Sequence, residues 1–256
     1  MSLVISITHP QAVIMVSDTK IITTRQSVDE NFTPIGNKEI EESEQNKTFE
    51  IAKIGAISFW GEATNTNLQI RNFIESKVAK DDDINSVAEK FFIYLQDEIQ
   101  PDAEVGFHLA GYDKQGIRRL YHIFYGTQIG EEGRGIDFYK NAEDDGNKFV
   151  ILFNGKNRYT SEAMMLFKEL EKGGYLLFPS KRTVEETVDL AVALINHTAR
   201  IIYEYEGLQS VGGHLNIFVV NLKNEIRNEQ RICTGDPQSG IMGRFRVTST
   251  SGESYV

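Results

Sequence analysis

Cysteine is almost absent from the 256 residues, with Cys233 standing alone. A single thiol excludes an intrachain disulfide and any cysteine-rich metal site, which fits a reducing compartment, and Cys233 itself reads as a buried strand residue. Positive charge is also scarce. Lysine and arginine number 27 against 37 aspartates and glutamates, a net charge of −10. So acidic a body offers nucleic acid or an anionic membrane surface no attraction, whereas a basic or uncharged substrate is easier to admit. No apolar run approaches the roughly 20 residues that a membrane-crossing helix needs. Met1 to Pro10 lacks the basic start and apolar core of a signal peptide, so the expectation is a cytoplasmic chain with no membrane partner. Nor is there a P-loop, a G-x-G-x-x-G after a strand, a G-x-S-x-G elbow or an H-E-x-x-H pair. The five histidines, His9, His108, His122, His197 and His214, are scattered without ligand spacing and read as structural. No cofactor and no metal is expected.

What is present is a globular composition, 40% hydrophobic and 25% charged, with only five prolines and no stretch that reads as a linker. One domain over 1–256 follows. Leu3 to Ser17 alternates as two β-branched strands around a turn at His9-Pro10-Gln11, predicting a hairpin. Residues 19–46 turn polar and acidic and read as an exposed loop insertion. Lys47 to Ile51 and Ile54 to Trp60 predict two further strands. A helix capped by Thr64 or Thr66 then carries Leu68, Ile70, Phe73, Ile74 and Val78 at helical spacing. The Asp81-Asp82-Asp83 run caps the next helix, with Ile84, Val87, Ala88, Phe91, Leu95 and Ile99 as its stripe and Pro101 as its stop. Val105 to Gly111 and Arg119 to Phe124 form a second hairpin about Asp113-Lys114-Gln115-Gly116. After an irregular stretch over 126–147, Phe149 to Phe153 is a strand ending at Asn154-Gly155, and a helix is expected over about 160–170. Thr183-Val184-Glu185-Glu186 is a capping box opening the clearest helix, whose stripe runs from Val184 to Ile202. Strands at His214 to Leu222 and Ile226 to Ile232 follow, and 235–256 is a polar tail. Helices grouped in pairs between groups of strands imply antiparallel sheets with helical layers outside, an α+β fold.

The first eighteen residues carry the chemistry. Ser2 lies directly behind the initiator methionine, and Asp18 closes the second strand sixteen positions later. A hairpin can therefore bring both to one end of a sheet. With Met1 removed, Ser2 combines a hydroxyl nucleophile with an α-amine whose reference pKa of roughly 7.7–8.0 lets it serve as base.

Several further stretches, taken in order, resemble proteasome-type subunits of the N-terminal-nucleophile hydrolases, 20S proteasome β-like, from about Ser2 to Ile232. Ser17-Asp18-Thr19-Lys20 resembles the family's small-Asp-x-basic element. Asn46-Lys47-Thr48-Phe49-Glu50-Ile51 is similar to the segment bearing its catalytic lysine. Ile57-Ser58-Phe59-Trp60-Gly61 lies where the family has its oxyanion-hole glycine, fourteen positions after Lys47 as the family pattern has it. Ala110-Gly111-Tyr112-Asp113 with Leu120-Tyr121-His122-Ile123 is close to the central hairpin, and Val211-Gly212-Gly213-His214-Leu215-Asn216 resembles the late Ser-Gly-Gly strand start.

The resemblance implies a four-layer αββα sandwich, two antiparallel sheets flanked by helix pairs. It implies that Ser2 is the nucleophile, that Asp18 and Lys47 pair beside it, and that Gly61 offers the oxyanion N–H. It implies a peptide or protein substrate, a homo-oligomeric ring, and leaves room for an ATPase or other regulatory partner. The activity implied is that of an N-terminal serine peptidase or amidohydrolase working through an acyl-enzyme. The chain also departs from the pattern. The family's later catalytic Asp and Ser fall at Leu208 and Val211, with Ser210 one position away, and its earlier Ser-Gly falls at Asn154-Gly155. Ser210, Asn154, Gly212 and Gly213 are therefore accessory candidates. These losses favour a rival reading, a ring or scaffold subunit without activity; ligation or transpeptidation through the same acyl-enzyme is a third.

Overall fold

The computed structural model describes residues 3–29, 31, 33–61, 65–98, 105–127, 134–140, 150–155, 159, 161–162, 165, 182–207, 210–223 and 225–234. In chain order its elements are β1 (Val4–His9), β2 (Ala12–Asp18), β3 (Lys20–Val28), β4 (Pro34–Glu44), β5 (Thr48–Ile51), β6 (Gly55–Gly61), α1 (Thr66–Lys77), α2 (Ile84–Glu98), β7 (Val105–Tyr112), β8 (Arg118–Thr127), β9 (Arg134–Lys140), β10 (Ile151–Asn154), α3 (Val184–Glu206), β11 (His214–Asn221) and β12 (Ile226–Ile232). The fold is α+β. None of its described helices is long and apolar enough to cross a membrane.

The β-branched start of the chain folds as the expected hairpin, with Val4 opposite Ser17 and His9 opposite Ala12. β1 then pairs with β10, and β2 with β11, to give a five-stranded sheet ordered β10-β1-β2-β11-β12. A second five-stranded sheet runs β5-β6-β7-β8-β9, and every strand pair in both is antiparallel.

Alternation along the strands decides what each face meets. Leu3, Ile5 and Ile7 of the first sheet, with Ile14 and Val16, pack against Val188, Ala191, Ile195, Ala199 and Ile202 of α3. On the second sheet Phe59, Phe107, Leu109 and Ile123 meet Phe73, Val87 and Phe91 of α1 and α2. The opposite faces meet each other, where Val13, Met15 and Phe218 of the first sheet join Ala56, Ala110 and Leu120 of the second. Burial of both faces explains why the strands read as nearly continuous apolar runs. Each fully buried Leu, Ile, Val or Phe contributes roughly 1.5–3 kcal/mol.

The helix ends follow local chemistry. The Thr183 hydroxyl accepts from the Glu186 amide at 3.1 Å while the Glu186 carboxylate accepts from the Thr183 amide at 2.7 Å, the capping box read from the sequence. Asp83 caps α2 by accepting from the Ser86 amide at 2.9 Å. α1 departs from expectation. Its N-cap is Asn65, held at φ 69° with no side-chain cap bond, and Thr66 is its first helical residue. Asn tolerates that left-handed conformation where β-branched Thr resists it.

A larger correction concerns 19–46. Rather than a loop, it contains β3 and β4, which pair with each other as a separate two-stranded ribbon. Its β-branched content (Ile21, Ile22, Thr23, Thr24) favours strand, and at the described acidic positions of β4, Glu42 and Glu44, the side chains are exposed. Asp29 builds the turn by accepting from the amides of Asn31 and Thr33, each at 2.8 Å. Cys233 is buried as expected but lies one residue beyond β12. The helix expected over 160–170 lies largely outside the described residues, as do Pro101 and the tail 235–256.

Gly106 has no room for a side chain. A Cβ there would fall 1.9 Å from the Trp60 indole, which is wedged between His108 and His122 with ring centroids 5.0 and 5.1 Å away. Gly106→Ala is expected to cost about 1–3 kcal/mol by forcing the ring out of place. Urea unfolding followed by the fluorescence of Trp60, the sole tryptophan, checks both the loss and the displaced ring.

Candidate active site

β2 ends in a carboxylate with no exposure to solvent, and the backbone around it shows what fills its oxygens. Asp18 Oδ1 accepts from the Leu3 amide at 2.7 Å, while the Asp18 amide donates back to the Leu3 carbonyl at 3.2 Å. Oδ1 also accepts from Lys47 Nζ at 2.9 Å, and Oδ2 from the Gly212 amide at 3.4 Å. Lys47, immediately before β5, is equally inaccessible, and its ammonium also donates to the Lys20 carbonyl at 2.7 Å. Those two bonds use two of the three ammonium protons, and the third has no partner among the described residues.

Burial pushes the Lys47 pKa below its ordinary value, and the adjacent Asp18 charge and hydrogen bond oppose that shift. At this separation the attraction is on the order of 5 kcal/mol for an effective dielectric near 20. Desolvating two ions costs several kcal/mol each, so the pair persists only because backbone amides and a carbonyl complete its hydrogen bonds.

Of the other residues singled out from the sequence, Gly212 bonds directly to this pair. Ser2 lies outside the described residues, but it is the residue covalently bonded to the Leu3 nitrogen that Asp18 holds. Gly61 ends β6 at φ 103°, two positions past Phe59, whose amide donates to the Lys47 carbonyl at 3.0 Å. Gly212 accepts from the Lys20 amide at 3.2 Å as well as donating to Asp18. Gly213 makes the turn into β11 at φ 72°, where a Cβ would sit 2.7 Å from the Thr19 hydroxyl and 2.9 Å from the Glu44 carboxylate. The Ser210 hydroxyl is buried without a hydrogen-bond partner among the described residues. Val211 sits in the core beneath α3, and Leu208 lies outside the described residues. Asn154 falls opposite Val4, at the same end of the sheet.

Behind this cluster the space between the sheets turns polar. Ser17, Thr48 and Ser58 form a hydroxyl chain with links of 2.7 and 2.6 Å. His108 bridges the sheets, with Nδ1 2.8 Å from the Ser6 hydroxyl and Nε2 2.8 Å from Asn154 Oδ1. With Asn154 Oδ1 facing Nε2, the matching tautomer carries the proton on Nε2 and lets Nδ1 accept from Ser6. Burial drives the His108 pKa down to about 3, so the ring is neutral. In the sequence His108 reads as a structural histidine. Its partners lie 102 and 46 positions away, and no spacing pattern announces such a bridge.

No protein-family model matches the chain, and no curated protein does. Solved structures do. Anbu (ancestral beta-subunit) from Yersinia bercovieri matches at 13% identity and TM-score 0.55, covering 93% of this chain and 89% of its own. Anbu from Hyphomicrobium sp. strain MC1 matches at 12% identity and TM-score 0.56, covering 92% and 89%. A Gly-1 mutant of Anbu from the same strain matches at 12% identity and TM-score 0.55, covering 93% and 90%. At such identity the likeness carries the fold alone, a proteasome-like one. It corrects the resemblance drawn from the sequence, since these relatives are Anbu, a family distinct from the 20S proteasome β subunits.

Two stability measurements check the electrostatics. Lys47→Met strands a buried carboxylate and is expected to cost about 3–5 kcal/mol, with Asp18→Asn in the same chain recovering more than half, both read by urea unfolding. For His108 the native pKa lies below the unfolded value of 6.5, so its contribution is complete above pH 6.5 and is lost as pH falls toward 3. Between pH 7 and 4 wild type should lose on the order of 3 kcal/mol more than His108→Gln.

Proposed function

We propose that the chain is an amidohydrolase of the N-terminal-nucleophile type, cleaving peptide or other amide bonds with the hydroxyl of Ser2. The observation that carries this reading is the buried Lys47–Asp18 pair tied to the amide of the residue that follows Ser2. A surface lysine and a strand-end carboxylate need no such burial, and leaving an ammonium proton unassigned next to the start of the chain is costly unless a group there uses it.

Once the bond before Ser2 is cut, its α-amine is free. The ammonium of Lys47 lowers the amine's pKa by charge repulsion, so the amine is neutral near pH 7 and takes the proton from Ser2 Oγ as the oxygen attacks the carbonyl carbon. The C–O bond forms, and the Gly61 N–H and Lys47 stabilise the negative oxygen. Collapse breaks the C–N bond, and the α-amine returns its proton to the leaving amine. Water, activated by the same amine, hydrolyses the ester and restores Ser2. Asp18 keeps Lys47 protonated and aimed.

This reading places the whole chain, 1–256, in one domain with a four-layer αββα arrangement and the 19–46 ribbon as an insertion. The burial of both faces of each sheet supports it. A ring of identical subunits would enclose such sites, and an ATPase or other regulatory partner would fit one. A second reading, a scaffold subunit without activity, is favoured by one observation: Val211 fills core where the resemblance expects a catalytic hydroxyl.

Ser2→Ala decides between them. The processed wild type is expected to form a covalent adduct with a hydroxyl-reactive β-lactone, faster as pH rises through the α-amine pKa below about 8, and the variant none. Adducts in both, or in neither, would reject the hydrolase.

A further inference from the structure

Asn154 is a polar residue at the end of a core strand, and the structure shows what holds it. Asn154 ends β10 directly opposite Val4 of β1, two positions from Ser2. Its side chain shares the inner face with Leu152, which packs against the cluster between the sheets. Asn154 is half-buried while Gly155 is exposed, so the amide stands where the dry interface meets solvent. Its oxygen is taken by His108 Nε2–H at 2.8 Å. The amide nitrogen, with two N–H donors, has no partner among the described residues.

His108 is fixed in turn. Nδ1 lies 2.8 Å from the Ser6 hydroxyl, the ring is fully buried, and it packs on Trp60 at 5.0 Å between centroids. Trp60 is the residue before Gly61. One neutral imidazole therefore touches both the strand end that carries Asn154 and the strand end that carries the proposed oxyanion glycine. In the Nε2–H tautomer the ring donates to Asn154 Oδ1 and the NH2 is turned away from it, whereas the Nδ1–H tautomer would pair with the flipped amide.

We infer that His108 is a positioning residue for Asn154, and that the Asn154 amide N–H is a second hydrogen-bond donor, beside Gly61, to the negative acyl oxygen that forms on Ser2. The inference rests on the N-terminal-nucleophile reading and adds to it a residue pair. A donor aimed at charge that develops only in the transition state accelerates acylation and leaves initial binding unchanged.

The test uses the full-length processed protein and a β-lactone probe, with the maximal acylation rate and the half-saturating concentration measured separately. Asn154→Ala is expected to lower the maximal rate roughly 10- to 100-fold with little change in half-saturation. His108→Phe, which keeps an aromatic ring beside Trp60 but cannot donate, should fall as far. His108→Gln, which can donate to Asn154 and accept from Ser6, should stay within about threefold of wild type. The double variant His108→Phe with Asn154→Ala should be no slower than Asn154→Ala, because His108 acts through Asn154. An Asn154→Ala protein acylated at the wild-type rate would overturn the inference while leaving the hydrolase reading intact, as would losses that multiply in the double variant. A wild type that is never acylated would sink the hydrolase reading and this one with it. Nitrogen-15 NMR of the wild-type imidazoles needs no variant to fold: a protonated Nε2 on His108 is expected, and a protonated Nδ1 would overturn the assignment.

Discussion

The carboxylate of Asp18 is the constraint on which the rest depends. It is wholly buried, so every donor around it has to be supplied by the fold, and each comes from a different part of the chain: the Leu3 amide, the Lys47 ammonium and the Gly212 amide. Those bonds fix where β1 begins, where β5 begins and how the chain turns into β11. Through Lys47, which also binds the Lys20 carbonyl, the same charge sets the root of the β3–β4 ribbon. An isolated buried carboxylate would be expelled or protonated, whereas one that organises four segments is retained.

The two sheets show how a mostly apolar interface accommodates that site. At its centre Val13, Met15, Phe218, Ala56, Ala110 and Leu120 exclude water, and toward the end that holds Asp18 the facing residues become Ser6, Ser17, Thr48, Ser58 and His108. Those polar groups bond to one another across the gap. A hydroxyl chain and a single imidazole thus hold the sheets in register where hydrophobic packing, which is not directional, cannot. The site stands on this rigid floor, and its donors come from strand ends, where backbone amides are no longer consumed by the ladder.

Much of this was legible in the sequence because it rests on local chemistry. The β1–β2 hairpin follows from alternation of β-branched residues about His9-Pro10-Gln11 and α3 from the Thr183 capping box, while the meeting of Asp18 with Lys47 follows from the resemblance alone. What stayed hidden depends on tertiary context. The ribbon reads as a loop because it is rich in acidic residues, and composition does not separate a solvated ribbon from a coil. His108 looked structural because its partners come from two strands of the other sheet. The sequence motifs point toward the 20S proteasome, whereas the solved structures that the chain resembles are Anbu.

The central claim is that Ser2 works as an amino terminus, which requires that no residue remain bonded to its α-amine. The intact mass of the protein purified from its native host, read for the loss of Met1, tests this most directly. The account predicts complete removal of the methionine, leaving serine first beside the Asp18–Lys47 pair. Complete retention would block the amine that the mechanism uses as its base and would contradict the account, leaving a scaffold subunit in its place.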